Sequence, residues 1–88
     1  METLKFVDGT VVNGHILENG DGRTIFIYLN GMSLIDGVML FSNTENVETI
    51  TAMNHGTETV YEGYTQIITA NIEFGNCNLT VRRPVNAA

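Results

Sequence analysis

The chain has 88 residues, one domain's worth, and a chain of this size buries roughly 60–65% of the surface its unfolded form exposes, enough for a single modest core. Ten Asp and Glu against four Lys and Arg give a net charge of −6, so the long-range field repels phosphate backbones and attracts basic surfaces, which argues against direct nucleic-acid binding. A lone Cys77 permits no internal disulfide, Met1-Glu-Thr-Leu-Lys5 lacks the basic and apolar regions of a secretory leader, and no apolar run approaches the roughly 20 residues of a membrane helix. The expectation is a cytoplasmic chain that works away from the membrane.

In chain order, Leu4-Lys-Phe-Val7 runs into Asp8-Gly9, a dipeptide that accepts the positive φ angles of a type I′ turn, and Val11 to Leu17 reads as the return strand. Asn19-Gly-Asp-Gly-Arg23 is the next reversal. Thr24 to Asn30 carries Ile25, Ile27 and Leu29 on one parity and Phe26 and Tyr28 on the other. A strand apolar on both faces is expected in mid-sheet with a cover on each side. After Gly31, Ser33 caps a short helix with Asp36 in the capping-box position, and Leu34, Val38 and Phe41 recur at helical spacing beside Ile35 and Met39. Gly37 inside it costs about 1 kcal/mol relative to Ala, so packing must hold the helix. Ser42 to Asn46 ends it.

Val47 to Met53 then reads as a fourth strand, Asn54 to Thr57 as a turn and Thr57 to Glu62 as a fifth strand, with a bend at Gly63. From Tyr64 onward the period is 2: Tyr64, Ile68, Ala70, Ile72 and Phe74 share one parity, and Thr65, Thr69, Asn71 and Glu73 the other, broken only by Gln66 and Ile67. The whole stretch Thr57 to Phe74 is expected to form a central hairpin whose apolar parity packs on the helix. Thr65, Ile67, Thr69 and Asn71 are then left for a partner. Glu73 to Asn78 reverses the chain, and Leu79 to Arg83 is a last strand stopped by Pro84. The sum is an α+β fold, mainly β: an antiparallel sheet, or a small barrel or sandwich, of about six or seven strands with one short helix.

The succession of an Asp8-Gly9-Thr10 hairpin, a short helix ending Phe41-Ser-Asn43, the segment Thr59-Val-Tyr-Glu-Gly-Tyr-Thr65 and an Asn-bearing turn before the final strand resembles small proteins encoded by phages and prophages of Gram-positive bacteria. The resemblance implies a phage origin and one of two roles. One is inhibition of host defence, by binding a defence protein or sequestering its nucleotide signal. The other is an accessory part in a tail or baseplate.

Catalytic signatures are missing from the chain. His15 and His55 have no HxH, HExxH or carboxylate at ligand spacing, Cys77 has no flanking base, and Gly20-Asp-Gly22 is no phosphate loop. A non-enzymatic binding protein without metal or cofactor is the expectation, with Tyr28, Tyr61, Tyr64 and Ile67 as contact residues. Arg82 and Arg83, together with Arg23, are the candidates to neutralise a nucleotide phosphate beside a tyrosine ring. Four basic residues make such a site small, so a homo-oligomer sharing it between subunits is the accompanying expectation.

Overall fold

The computed structural model describes residues 2–84. Seven strands, β1 (Thr3–Lys5), β2 (Val11–Glu18), β3 (Thr24–Asn30), β4 (Thr49–Asn54), β5 (Thr57–Glu62), β6 (Gln66–Glu73) and β7 (Asn76–Arg82), form one antiparallel sheet in the order β5-β4-β1-β2-β3-β7-β6. The helix α1 (Leu34–Ser42) and a single further turn, α2 (Thr44–Val47), join β3 to β4. The mainly-β antiparallel fold is as expected, in the single-sheet form.

Two halves share β2. Residues Val11 to Asn13 pair with β1, and Gly14 to Glu18 pair with β3. The changeover falls at Gly14, where an added Cβ would lie against the carbonyl oxygen of Tyr28. Only glycine lets the two backbones approach that closely, so this residue is what allows β2 to bend from one half of the sheet into the other.

The inner face holds the core. Ile25, Ile27 and Leu29 of β3 alternate with Cys77, Leu79 and Val81 of β7, all 0–1% exposed, and Leu4, Phe6, Phe41, Val47, Ile50 and Tyr64 complete the cluster. Full burial of each large side chain is worth about 1.5–3 kcal/mol. Phe6 meets Phe41 edge-to-face at 5.8 Å between centroids, the favoured aromatic geometry. Helix α1 starts as its sequence dictates, with the Ser33 hydroxyl accepting from the Asp36 N–H at 3.1 Å. Its Gly37 also has a packing reason: a Cβ there would run into the Cys77 Sγ. The helix sits down on β7 because that position has no side chain. Ile35 and Met39, on its other side, are exposed.

Several expectations are corrected. The stretch Thr57 to Phe74 is no central hairpin: β5 and β6 are the two opposite edges of the sheet. They are joined by only three residues, Gly63 to Thr65, so the sheet coils until its free edges meet at one corner. Val47 belongs to α2 and not to the fourth strand. Cys77 lies in β7, buried, rather than in a turn, because the reversal is confined to Phe74-Gly75. Asp8-Gly9 closes a longer turn in which Gly9 alone has positive φ, Gly9 N–H donates to the Phe6 carbonyl, and Phe6 N–H donates to Thr10. That is a tight turn followed by a glycine bulge. Two-residue turns with positive φ at both positions occur instead at His55-Gly56 and Phe74-Gly75.

The turn Phe6 to Thr10 is clamped from outside by α2. Asn46, buried, accepts from the Asp8 N–H through its Oδ1 at 2.9 Å, and its carbonyl accepts from Val7 N–H at 3.1 Å. Replacing the Asn46 side chain leaves the Asp8 N–H short of its partner, while the bond from Val7 to the backbone carbonyl stays.

Candidate functional site

Of the residues expected to bind, Tyr61, Tyr64 and Arg83 come together at one corner, and Tyr28, Ile67 and Arg82 do not join them. Tyr64 is 7% exposed and part of the core, with the Arg83 guanidinium 4.7 Å from its ring centroid and Tyr61 edge-on at 6.1 Å. Arg83 also donates through Nε to the Glu62 carbonyl at 3.1 Å. Burial, and then the charge and hydrogen bond of Glu18, push the Tyr61 hydroxyl above its ordinary pKa. This cluster ties the C-terminal end of β7 to the corner where the two edges meet, and its cation–π contact is already made within the chain.

Ile67 is corrected too. It lies opposite the buried Val81, half-buried against the core. The reason is a β-bulge between Ile67 and Thr69: Ile68, 45% exposed, is the extra residue, so the parity flips at that point. Thr69 and Asn71 face outward as expected, and Ala70 and Ile72 face the core side. Phe74 does not face the helix: it sits in the turn, 92% exposed.

Tyr28 and Arg82 lie on the outer face of the β2-β3-β7-β6 half, which no element among the described residues covers. This corrects the expectation that both faces of β3 are covered. The ring of Tyr28 stacks on His15 at 4.6 Å, with interplanar angle 18°, and His15 Nδ1 is 3.4 Å from the Glu2 carboxylate. Arg82 donates through Nε to Gln66 Oε1 at 3.2 Å. Between β3 and β6 runs a groove along β7, lined by Phe26 and Tyr28 on one wall, Thr69 and Asn71 on the other, and Asn76, Asn78 and Thr80 on the floor, with Phe74 at the mouth.

The outer face of the β5-β4-β1-β2 half has a different chemistry. One row across its four strands reads Val11, Lys5, Thr51, Val60, and the next reads Asn13, Thr3, Met53, Glu58. Val7, Val11, Met53 and Val60 are all exposed apolar groups. The carboxylates of Glu58 and Glu62 stand on β5 with Val60, and Lys5 is the one cation of these rows. Exposed apolar groups beside a free edge strand mark a surface available for protein docking. Period-2 alternation predicts the two faces but not which strands lie side by side, so these rows have no signature along the chain.

Groups with reactive potential lie apart. Burial pushes the Cys77 thiol up, the wrong direction for a nucleophile. His55 is in an exposed turn, and among the described residues no three His, Cys, Asp or Glu side chains converge to hold a metal ion. Among the described residues no helix is long and apolar enough to cross a membrane. In comparisons with known proteins, the chain matches no family model, no curated protein and no solved structure.

Proposed function

We propose that this chain is a non-enzymatic binding protein of the phage type that inhibits a host defence protein by docking on a basic surface of it. The observation that carries this reading is the outer face of the β5-β4-β1-β2 half: exposed Val7, Val11, Met53 and Val60 interspersed with Thr3, Lys5 and Thr51, the carboxylates of Glu58 and Glu62 on β5, and the unpaired backbone of that edge strand. The charge of −6 steers such a face towards a cationic partner. Inhibition of a protein has better support than capture of a nucleotide, because Arg83 is stacked on the buried Tyr64 and Arg82 is bonded to Gln66.

The test is affinity capture from infected host cells with the wild-type chain and with Val60→Asp and Glu58→Lys/Glu62→Lys variants, read beside protection of infecting phage. A host protein is expected on the wild type, with affinity reduced about tenfold by either variant, as removal of an apolar contact or of complementary charge does. The reading falls if capture and protection are both absent. Recovery of the chain from purified virions would instead make it a tail or baseplate component. Native mass spectrometry of the same preparation reads the oligomeric state.

A further inference from the structure

The groove on the other half of the sheet asks for a different kind of ligand, and two independent observations single it out. At its floor, Asn78 Oδ1 is buried without a hydrogen-bond partner among the described residues. Buried amide oxygens are almost always paired, by protein or by water, so this oxygen keeps its acceptor capacity for a donor that enters the groove. The last torsion of an asparagine is soft, so a small rotation turns the amide towards an entering donor. At the mouth, Phe74 holds a left-handed backbone, φ 53°, with its ring 92% exposed. A bulky residue in that conformation is strained, and an exposed aromatic adds nothing to the core, so neither feature is explained by folding. The equivalent position of most such turns is asparagine, aspartate or glycine.

The lining sets the ligand's chemistry. Three asparagines, Asn71, Asn76 and Asn78, each both donate and accept, and Thr69 and Thr80 add hydroxyls that do the same. Phe26, Tyr28 and Phe74 offer ring faces. No Lys or Arg lines the groove, and its one charged residue is Glu73. A phosphate is disfavoured there. A neutral molecule with many hydroxyls and an apolar C–H face satisfies the amides, the carboxylate and the rings together. We infer that this groove is a binding site for an uncharged saccharide, with Phe74 stacking on the sugar ring and Asn71 and Asn78 hydrogen-bonding its hydroxyls. The site lies on the opposite half of the sheet from the proposed docking face, so either assignment stands if the other fails.

The experiment is a two-dimensional NMR titration of the labelled full chain with glucose, galactose, N-acetylglucosamine and their short oligomers, run beside adenosine and adenosine monophosphate. A dissociation constant of about 1 mM or tighter is expected for at least one saccharide, with shifts concentrated in Asn71, Phe74, Asn76 and Asn78. Phe74→Asn is expected to weaken that binding at least about tenfold while raising the melting temperature, since asparagine tolerates the backbone that phenylalanine resists. Asn71→Ala, on an exposed strand position, is expected to weaken binding with the melting temperature unchanged. Saturable shifts with a nucleoside and none with any saccharide overturn the assignment. So do saccharide shifts that map away from the groove, and the absence of shifts with every probe at about 20 mM.

Discussion

The two halves of the sheet use one strand in common and solve the same problem differently. In the β2-β3-β7-β6 half the inner residues of β3 and β7 alternate strictly with the outer ones, and a helix seals the core at Gly37 over Cys77. In the β5-β4-β1-β2 half the strands are short or at the edge, β5 is exposed along nearly its whole length, and the one-turn α2 holds the first hairpin through Asn46. The first half is organised around close packing, which leaves its outer face free to carry aromatic and amide groups. The second is tied down by a few polar contacts and exposes aliphatic side chains instead. Close packing and exposed aliphatic surface are therefore divided between the two halves.

The largest expected effect comes from breaking the hinge that both halves share. Gly14→Ala drives a methyl group into the backbone of Tyr28, and a loss of about 3 kcal/mol or more, or failure to fold, is expected in denaturant unfolding. Next comes Ile67→Glu, which places a charge on the core side of β6. About 2 kcal/mol of destabilisation is expected there, against less than about 0.5 kcal/mol for Ile68→Glu at the bulge. Equal effects at the two positions would mean the bulge is elsewhere.

Gly37→Ala weighs two terms against each other: about 1 kcal/mol of helix propensity gained, and a steric conflict with Cys77 of about 1–3 kcal/mol. Net destabilisation confined to the well-packed half is expected by native-state hydrogen exchange. Adding Cys77→Ala should recover part of it, as two groups in contact do not act additively.

The smallest effect is acid. Asp21 accepts from the Arg23 and Thr24 N–H groups and the Thr24 hydroxyl, which lowers its pKa from 3.8 to about 2. A carboxylate with a depressed folded-state pKa stabilises above its unfolded value and loses that contribution as pH falls. The turn before β3 should thus hold fully above about pH 4 and loosen as pH falls towards 2. Amide shifts of Arg23 and Thr24 titrating with a midpoint near 2 would show it, and a midpoint at 3.8 would refute it.

What the sequence makes legible is local. Thr24–Asn30 and the Ser33 cap follow from period and capping chemistry alone, and their placement agrees with the structure. The failures are non-local. Nothing in Thr57 to Phe74 reveals that its two strands are opposite edges, because pairing partners such as Thr24 and Arg82 are set by the coil of the whole sheet. Period-2 alternation puts Ile67 on the wrong face because a bulge is a single extra residue with no side-chain signature. Aromatic and charged residue types point to tyrosines and arginines as contacts, but the structure satisfies Tyr64 and Arg83 on each other, while the exposed groups include Phe74, Val7, Val11 and Val60, whose residue types read as core.

The three-residue link between the sheet's two edges has a topological consequence. A cut between Glu62 and Gln66 would sever no hairpin and no ladder, since β5 and β6 are not hydrogen-bonded to one another. The β6-β7 unit is held to the remainder of the sheet by one ladder alone, the seven residue pairs from Thr24↔Arg82 to Asn30↔Asn76, together with the packing of α1 above it. Separating that hairpin from the other five strands therefore breaks one ladder, β3 with β7, and no other.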